Sequence, residues 1–112
     1  MKNRAERASL IYYPTIRNLV DGEVLGYLID LSIEGMKLLS EKPIETERYY
    51  RLSIEVQSEV AAPRELAIEA KALWCSPDIN PDFHDTGFVF RNMTPAAQKV
   101  ILRLMQEYQF SG

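Results

Sequence analysis

The sequence predicts a mainly β fold: a six-stranded antiparallel β-barrel followed by one C-terminal α-helix. Three observations carry that expectation. Between residues 8 and 91 the apolar positions recur with period two, the repeat of strands that are wet on one face. Turn-forming clusters cut this stretch at short intervals: Asp21-Gly22, Pro43, "AAPRE" and "SPDINPD". After Thr94 the period changes to 3.6. Six short strands joined by short turns favour a barrel over a sandwich.

The elements follow in order. Residues 1–7, "MKNRAER", form a charged leader with no packing pattern. "ASLIYY" (8–13) is expected as the first strand, ended by Pro14. "EVLGYLIDLS" and "GMKLLS" are the second and third, a hairpin whose turn contains Gly35. "YYRLSIEVQ" alternates most cleanly, with Tyr50, Leu52, Ile54 and Val56 on one face. "ELAIEAKALWC" repeats the pattern and is expected to turn Leu66, Ile68, Ala70, Ala72 and Trp74 inward. "TGFVFRN" is the sixth strand, so the barrel spans residues 8–92. The helix is expected over 94–110. Thr94 is its N-cap, Pro95 its first position, and Ala97, Val100, Ile101, Leu104, Met105 and Tyr108 its apolar stripe.

Composition bounds the function. With 112 residues, 46% apolar and 26% charged, the chain reads as one stand-alone domain over 1–112. No apolar run approaches the ~20 residues of a membrane span, and the first residues carry no secretory h-region. The single cysteine, Cys75, fits a reducing compartment. The expected location is therefore cytoplasmic. A net charge of −3 argues against DNA or RNA as partner, but leaves room for a small anion at a local cluster such as Lys2, Arg4 and Arg7.

Converging catalytic groups are not visible. His84 is the only histidine, and with Asp78, Asp82 and Asp85 it matches neither a calcium loop nor a zinc site. Cys75 has no base aligned with it by pattern. Asp85-Thr86-Gly87 matches an aspartic-protease triplet but reads as a turn entering the last strand, with Gly87 where the backbone packs closely. The expectation is no enzyme, no metal and no cofactor.

Asp30 and Ser32 are the departure from the alternating pattern that needs an account. Two residues apart on a strand, they share one face, about 7 Å apart along the chain. A carboxylate accepts both N–H donors of a guanine Watson–Crick edge, and a hydroxyl both donates and accepts. Gly35 permits a backbone turn of positive φ. Equally, Asp30 and Ser32 could serve the turn itself through side-chain to backbone hydrogen bonds.

Asp30-Leu31-Ser32-Ile33-Glu34-Gly35 is an intact D/N-x-S-x-x-G motif. With "EAKALW", "TGFVF" and the helix near Thr94 in the same order, the sequence resembles the PilZ domain family over nearly its whole length. These are small bacterial six-stranded barrels that bind cyclic di-GMP. The family's other motif, R-x-x-x-R, aligns Arg7 as the second arginine. Asn3 stands at the first position, with Arg4 one residue away. The resemblance implies a receptor for cyclic di-GMP that passes the signal to a protein partner. In it Arg7 contacts phosphate and guanine with Arg4 assisting, Asp30 reads a guanine edge, Ser32 bonds the ligand or braces Asp30, and Gly35 shapes the turn. Ligand binding would order the leader across the barrel and change the exposed surface. The alternative it implies is an adaptor that has lost nucleotide binding through the altered arginine motif.

Overall fold

The computed structural model describes residues 13–56 and 64–108. Six strands precede one helix: β1 (Thr15–Asn18), β2 (Val24–Leu31), β3 (Gly35–Ser40), β4 (Arg48–Val56), β5 (Arg64–Pro77), β6 (His84–Arg91) and α1 (Pro95–Tyr108). The strands close into a barrel in the order β1-β2-β3-β6-β5-β4, every neighbouring pair antiparallel. The mainly β class, the six-stranded antiparallel barrel and the terminal helix are as the sequence predicts.

The first strand differs. Of the expected strand 8–13 only Tyr13 is described, and it is not in a strand; the rest lies outside the described residues, as do Gln57 of the fourth strand and residues 109–110 of the helix. The described barrel begins after Pro14, with Thr15–Asn18. Proline tolerates the approach to a strand because it has no N–H to pair. Its carbonyl still accepts the Leu28 N–H at 2.9 Å. The β1–β2 turn then uses Gly22 at φ +78, where the Gly22 N–H donates to the Asn18 carbonyl at 2.8 Å.

The inner faces meet as one core. Ile16, Leu28, Leu38, Leu52, Ile54, Ala70 and Ala72 are fully buried, and the Tyr50 ring meets Phe88 edge-on at 5.8 Å. β3 and β4 are not neighbours, so residues 41–47 cross one end of the barrel, with Ile44 buried beneath the crossing. Along α1, Ile101 and Leu104 enter the core, and Ala97, Val100 and Met105 are half-buried beside them. The Thr94 hydroxyl accepts the Ala97 N–H at 3.1 Å, the N-cap bond that stops the helix fraying at its start.

Among the described strands three register shifts interrupt the ladder: one skips Leu25 between β1 and β2, and the other two matter for what the outer surface presents. Between Leu28 and Asp30 the pairing skips Ile29: Leu28 opposes Leu38, whereas Asp30 opposes Lys37. Between Ala72 and Trp74 it skips Leu73: Ala72 opposes Phe88, whereas Trp74 opposes Gly87. An extra residue reverses the facing of everything after it. Unbroken alternation from buried Leu28 would send Asp30 into the core, and from buried Ala72 would send Trp74 there too. The bulges turn both outward. The expectation that Trp74 faces inward is therefore corrected: it is 46% exposed.

Candidate functional site

The register sets four residues side by side on the outside of the barrel. Asp30 on β2 opposes Lys37 on β3; Lys37 opposes Gly87 on β6; Gly87 opposes Trp74 on β5. They form one cross-strand row, with neighbours about 4.8 Å apart in the sheet. Above it opens a cleft of about 380 Å³, lined by Asp30, Ser32, Gly35, Lys37, Leu73, Trp74 and Gly87 among others. One end is anionic, the middle cationic, and the far end aromatic.

Each member is held by local structure. The Asp30 Oδ1 accepts the N–H of Leu31 at 3.0 Å, which fixes the carboxyl group at the strand end. Ser32 lies beyond the strand and works on the turn. Its N–H donates to the Gly35 carbonyl at 2.9 Å. Its hydroxyl accepts the N–H groups of Glu34 and Gly35, both at 3.3 Å, and lies 3.4 Å from the Gly35 carbonyl as donor. Ser32 thus braces the β2–β3 turn, the side-chain to backbone role open to it from the sequence.

Gly35 is required for a different reason from the one the sequence suggested. Its φ is not positive; Gly22 is the glycine of positive φ among the described residues. What excludes a side chain is crowding, because a Cβ at Gly35 would stand 2.1 Å from the Phe88 carbonyl oxygen and 3.3 Å from the Val89 Cα. β3 starts so close to β6 that no Cβ fits. Gly87 is the second close approach. A Cβ there would lie 2.3, 2.4 and 2.8 Å from the Nε1, Cε2 and Cζ2 atoms of Trp74. Those three contiguous ring atoms are nearly equidistant, so the indole lies with a face against the Gly87 backbone.

Just below the row on β6 sits Asp85, opposite Leu39 and Ser76. Burial pushes its carboxyl above the usual carboxylate range, the neighbouring Asp78 pushes it further, and Lys37 pulls it partly back. The Asp85 Oδ1 is buried without a hydrogen-bond partner. The triplet Asp85-Thr86-Gly87, expected as a turn entering the last strand, lies within β6 itself, with Thr86 fully buried in the wall. Among the described residues no three His, Cys, Asp or Glu side chains gather as metal ligands, and Cys75 opposes Thr86 while His84 opposes Pro77.

The structure thus brings Asp30, Ser32 and Gly35 to one cleft, and adds Lys37 and Trp74, which pattern reading passed over. Arg4 and Arg7 lie outside the described residues. The signal that could have found Trp74 is Gly87: a glycine inside a strand marks a close approach, and the approaching group is the indole.

A PilZ domain model matches residues 2–107. The chain belongs to the PilZ domain family. Solved structures share the fold. The PilZ domain of YcgR from Escherichia coli with c-di-GMP is 21% identical, with a TM-score of 0.62 over 86% of this chain and 82% of that one. YcgR from Escherichia coli in complex with c-di-GMP gives 19% identity and a TM-score of 0.68, over 88% of this chain and 42% of that one. The inhibitor of motility MotI (DgrA) from Bacillus subtilis gives 14% and 0.69, over 97% of this chain and 52% of that one. This PilZ chain accordingly spans about half the length, or less, of the latter two proteins. No curated protein matches its sequence significantly.

Proposed function

We propose that this PilZ domain is a receptor for cyclic di-GMP, and that it relays binding to a protein partner through a change in its exposed surface. The observation that carries the reading is the outward row Asp30–Lys37–Gly87–Trp74 beside the braced Ser32–Gly35 turn. A dianionic ligand with two guanines needs a carboxylate for a guanine edge, cations for phosphate, and flat apolar surface. Asp30 is the guanine reader and Lys37 the phosphate contact within the cleft. Ser32 and Gly35 act by holding the turn that carries Asp30. Arg7, with Arg4 assisting, supplies guanidinium groups from the leader, whose ordering across the barrel is the signal. The domain binds and releases; it catalyses nothing and needs neither metal nor cofactor. Its setting is the cytoplasm, consistent with the absence among the described residues of any helix long and apolar enough to cross a membrane.

A second reading, an adaptor that no longer binds the nucleotide, is favoured by Asn3 at the first arginine position. Calorimetric titration of the full chain separates the two. Binding is expected, with Arg7→Ala and Asp30→Ala each weakened by roughly ten- to a hundredfold, the cost of one charge-assisted hydrogen bond. Arg4→Ala is expected to lose less. If Arg4→Ala is the most damaging, the arginine motif is in another register. No binding at about 100 μM ligand, an affinity no better than roughly 5 kcal/mol, would replace the receptor reading by the adaptor one.

A further inference from the structure

We infer that the outer face of β4, β5 and β6, beyond the Asp30 cleft, is a docking groove for an extended acidic segment of a protein partner. The inference rests on the relay reading above only in taking the partner to be a protein. On β4 the alternation that buries Leu52 and Ile54 turns Tyr49 and Arg51 outward. The register sets Arg51 opposite Glu69, and Glu69 opposite Arg91. A groove with two lobes, of about 480 and 230 Å³, crosses this row, and Arg51, Glu69, Arg91 and Asn92 line both lobes. It adjoins the cleft, because Arg91 lies four residues beyond Gly87 on β6, about 13 Å along the strand.

The cations of the groove are set in place but not neutralised. Tyr49 stands 58% exposed. Its hydroxyl accepts the Arg91 Nη1–H at 2.6 Å, and the Arg91 guanidinium carbon lies 4.9 Å from the ring centroid. Arg91 is therefore ordered before any ligand arrives, which lowers the entropy cost of using it. Lys71 lies 5.6 Å from the same ring and is answered by Glu47 at 3.3 Å. Among the described residues neither Arg51 nor Arg91 has a carboxylate partner. Glu69 stands between them, but its Oε1 accepts the Asn92 Nδ2–H at 2.9 Å. In a chain of net charge −3, this arginine pair is a local reversal of sign. Beside it the β1–β2 turn supplies an apolar rim, with Val20 79% exposed and the Leu19 N–H tied to the Arg51 carbonyl at 2.8 Å.

The spacing selects the occupant. Two strand spacings separate Arg51 from Arg91, about 10 Å, the span of three residues of extended chain. Each guanidinium can fork onto a carboxylate, while Glu69 repels a carboxylate placed between them. The segment that fits has two acidic residues three positions apart, neutral residues between them, and an apolar side chain for the Val20 rim. A nucleic acid fits worse, because its closely spaced phosphates would meet Glu69 and the net negative charge of the chain.

The test is fluorescence anisotropy of the full chain with short labelled peptides, each carrying one terminal leucine and two glutamates one to five positions apart. Binding is expected to be tightest at a separation of three, with a dissociation constant below about 1 mM, and to weaken as salt rises. Arg51→Gln and Arg91→Gln should each lose about three- to tenfold, while calorimetry finds cyclic di-GMP affinity within twofold of the parent. Far-UV circular dichroism establishes that each variant is folded; should Arg91→Gln fail that check, Arg51→Gln decides. If no peptide binds more tightly than about 1 mM, or affinity is indifferent to spacing, the inference is overturned and the receptor reading stands. Tighter binding of a single-stranded oligothymidine than of every peptide also overturns it. Peptide binding by a chain that gives no heat with cyclic di-GMP would remove the receptor reading and leave this one.

Discussion

Replacing Gly35 by alanine tests how the site is built into the barrel. The added Cβ would sit 2.1 Å from the Phe88 carbonyl oxygen, 3.2 Å from its carbon and 3.3 Å from the Val89 Cα. All three are backbone atoms of β6, so no side chain can swing away. Relief requires the start of β3 to move by about 1 Å, since carbon–oxygen contacts are comfortable only beyond about 3.2 Å. Two hydrogen bonds frame that point: Phe90 N–H to the Glu34 carbonyl and Ser32 N–H to the Gly35 carbonyl, both 2.9 Å. Weakening both, at about 1 kcal/mol each plus strain, gives about 2–4 kcal/mol. For a domain of this size that lowers Tm by roughly 10–15 °C, read by thermal melting with circular dichroism. Gly22→Ala is the internal comparison. Nothing stands within 4 Å of a Cβ at Gly22, so its cost is only the positive φ, about 1 kcal/mol, and Gly22→Asn should recover much of it. Gly35→Asn should recover nothing. A Gly35→Ala melt within a degree or two of the parent would refute the claim that closeness to β6, rather than backbone angle, reserves this position for glycine.

The remaining predictions concern the wall around the cleft. Thr86 is fully buried and its hydroxyl makes no hydrogen bond, so the isosteric Thr86→Val should gain about 1 kcal/mol and raise Tm by about 5 °C; a fall would mean the hydroxyl is bonded. The Asp85 carboxyl is held above its ordinary value by burial first and by Asp78 second. The folded state therefore binds that proton more tightly than the unfolded chain. The stability this contributes is complete below the unfolded pKa of about 4 and is lost as pH rises through the raised folded value. Asp85→Asn should accordingly stabilise more at pH 7 than at pH 4, and melting curves showing the reverse would contradict the assignment. Lys37→Ala should weaken cyclic di-GMP binding by roughly three- to tenfold, more at low salt than at high, because a partly exposed cation acts through a screened field. A loss independent of salt would place Lys37 away from the phosphates.

The barrel was legible because half-exposed strands repeat with period two, and the helix because its stripe and the Thr94 cap announce it. What pattern reading could not reach were the bulges. Alternation assigns Trp74 to the inner face with Ala70 and Ala72, and nothing local in "KALWC" marks Leu73 as the unpaired residue. The same blindness concealed Lys37, an ordinary outward lysine until the register sets it between Asp30 and Gly87. Gly35 was singled out for a positive φ that it does not have, since sequence shows that glycine is present and not which atom excludes a side chain. The strand at Thr15–Asn18 was not expected because "ASLIYY", most of which lies outside the described residues, carries the stronger apolar run. The strand seen after Pro14 has only Ile16 pointing to the core.

The central claim is that Asp30 reads guanine in the cleft it shares with Lys37 and Trp74. Its most direct test is calorimetry of the full chain and of Asp30→Ala with cyclic di-GMP and with its adenine counterpart, which cannot offer the carboxylate the same pair of adjacent N–H donors. The account predicts saturable binding of the guanine dinucleotide, clear preference over the adenine one, and collapse of that preference in Asp30→Ala. Equal affinity for both dinucleotides in the unmutated chain, or a preference that survives Asp30→Ala, would contradict it.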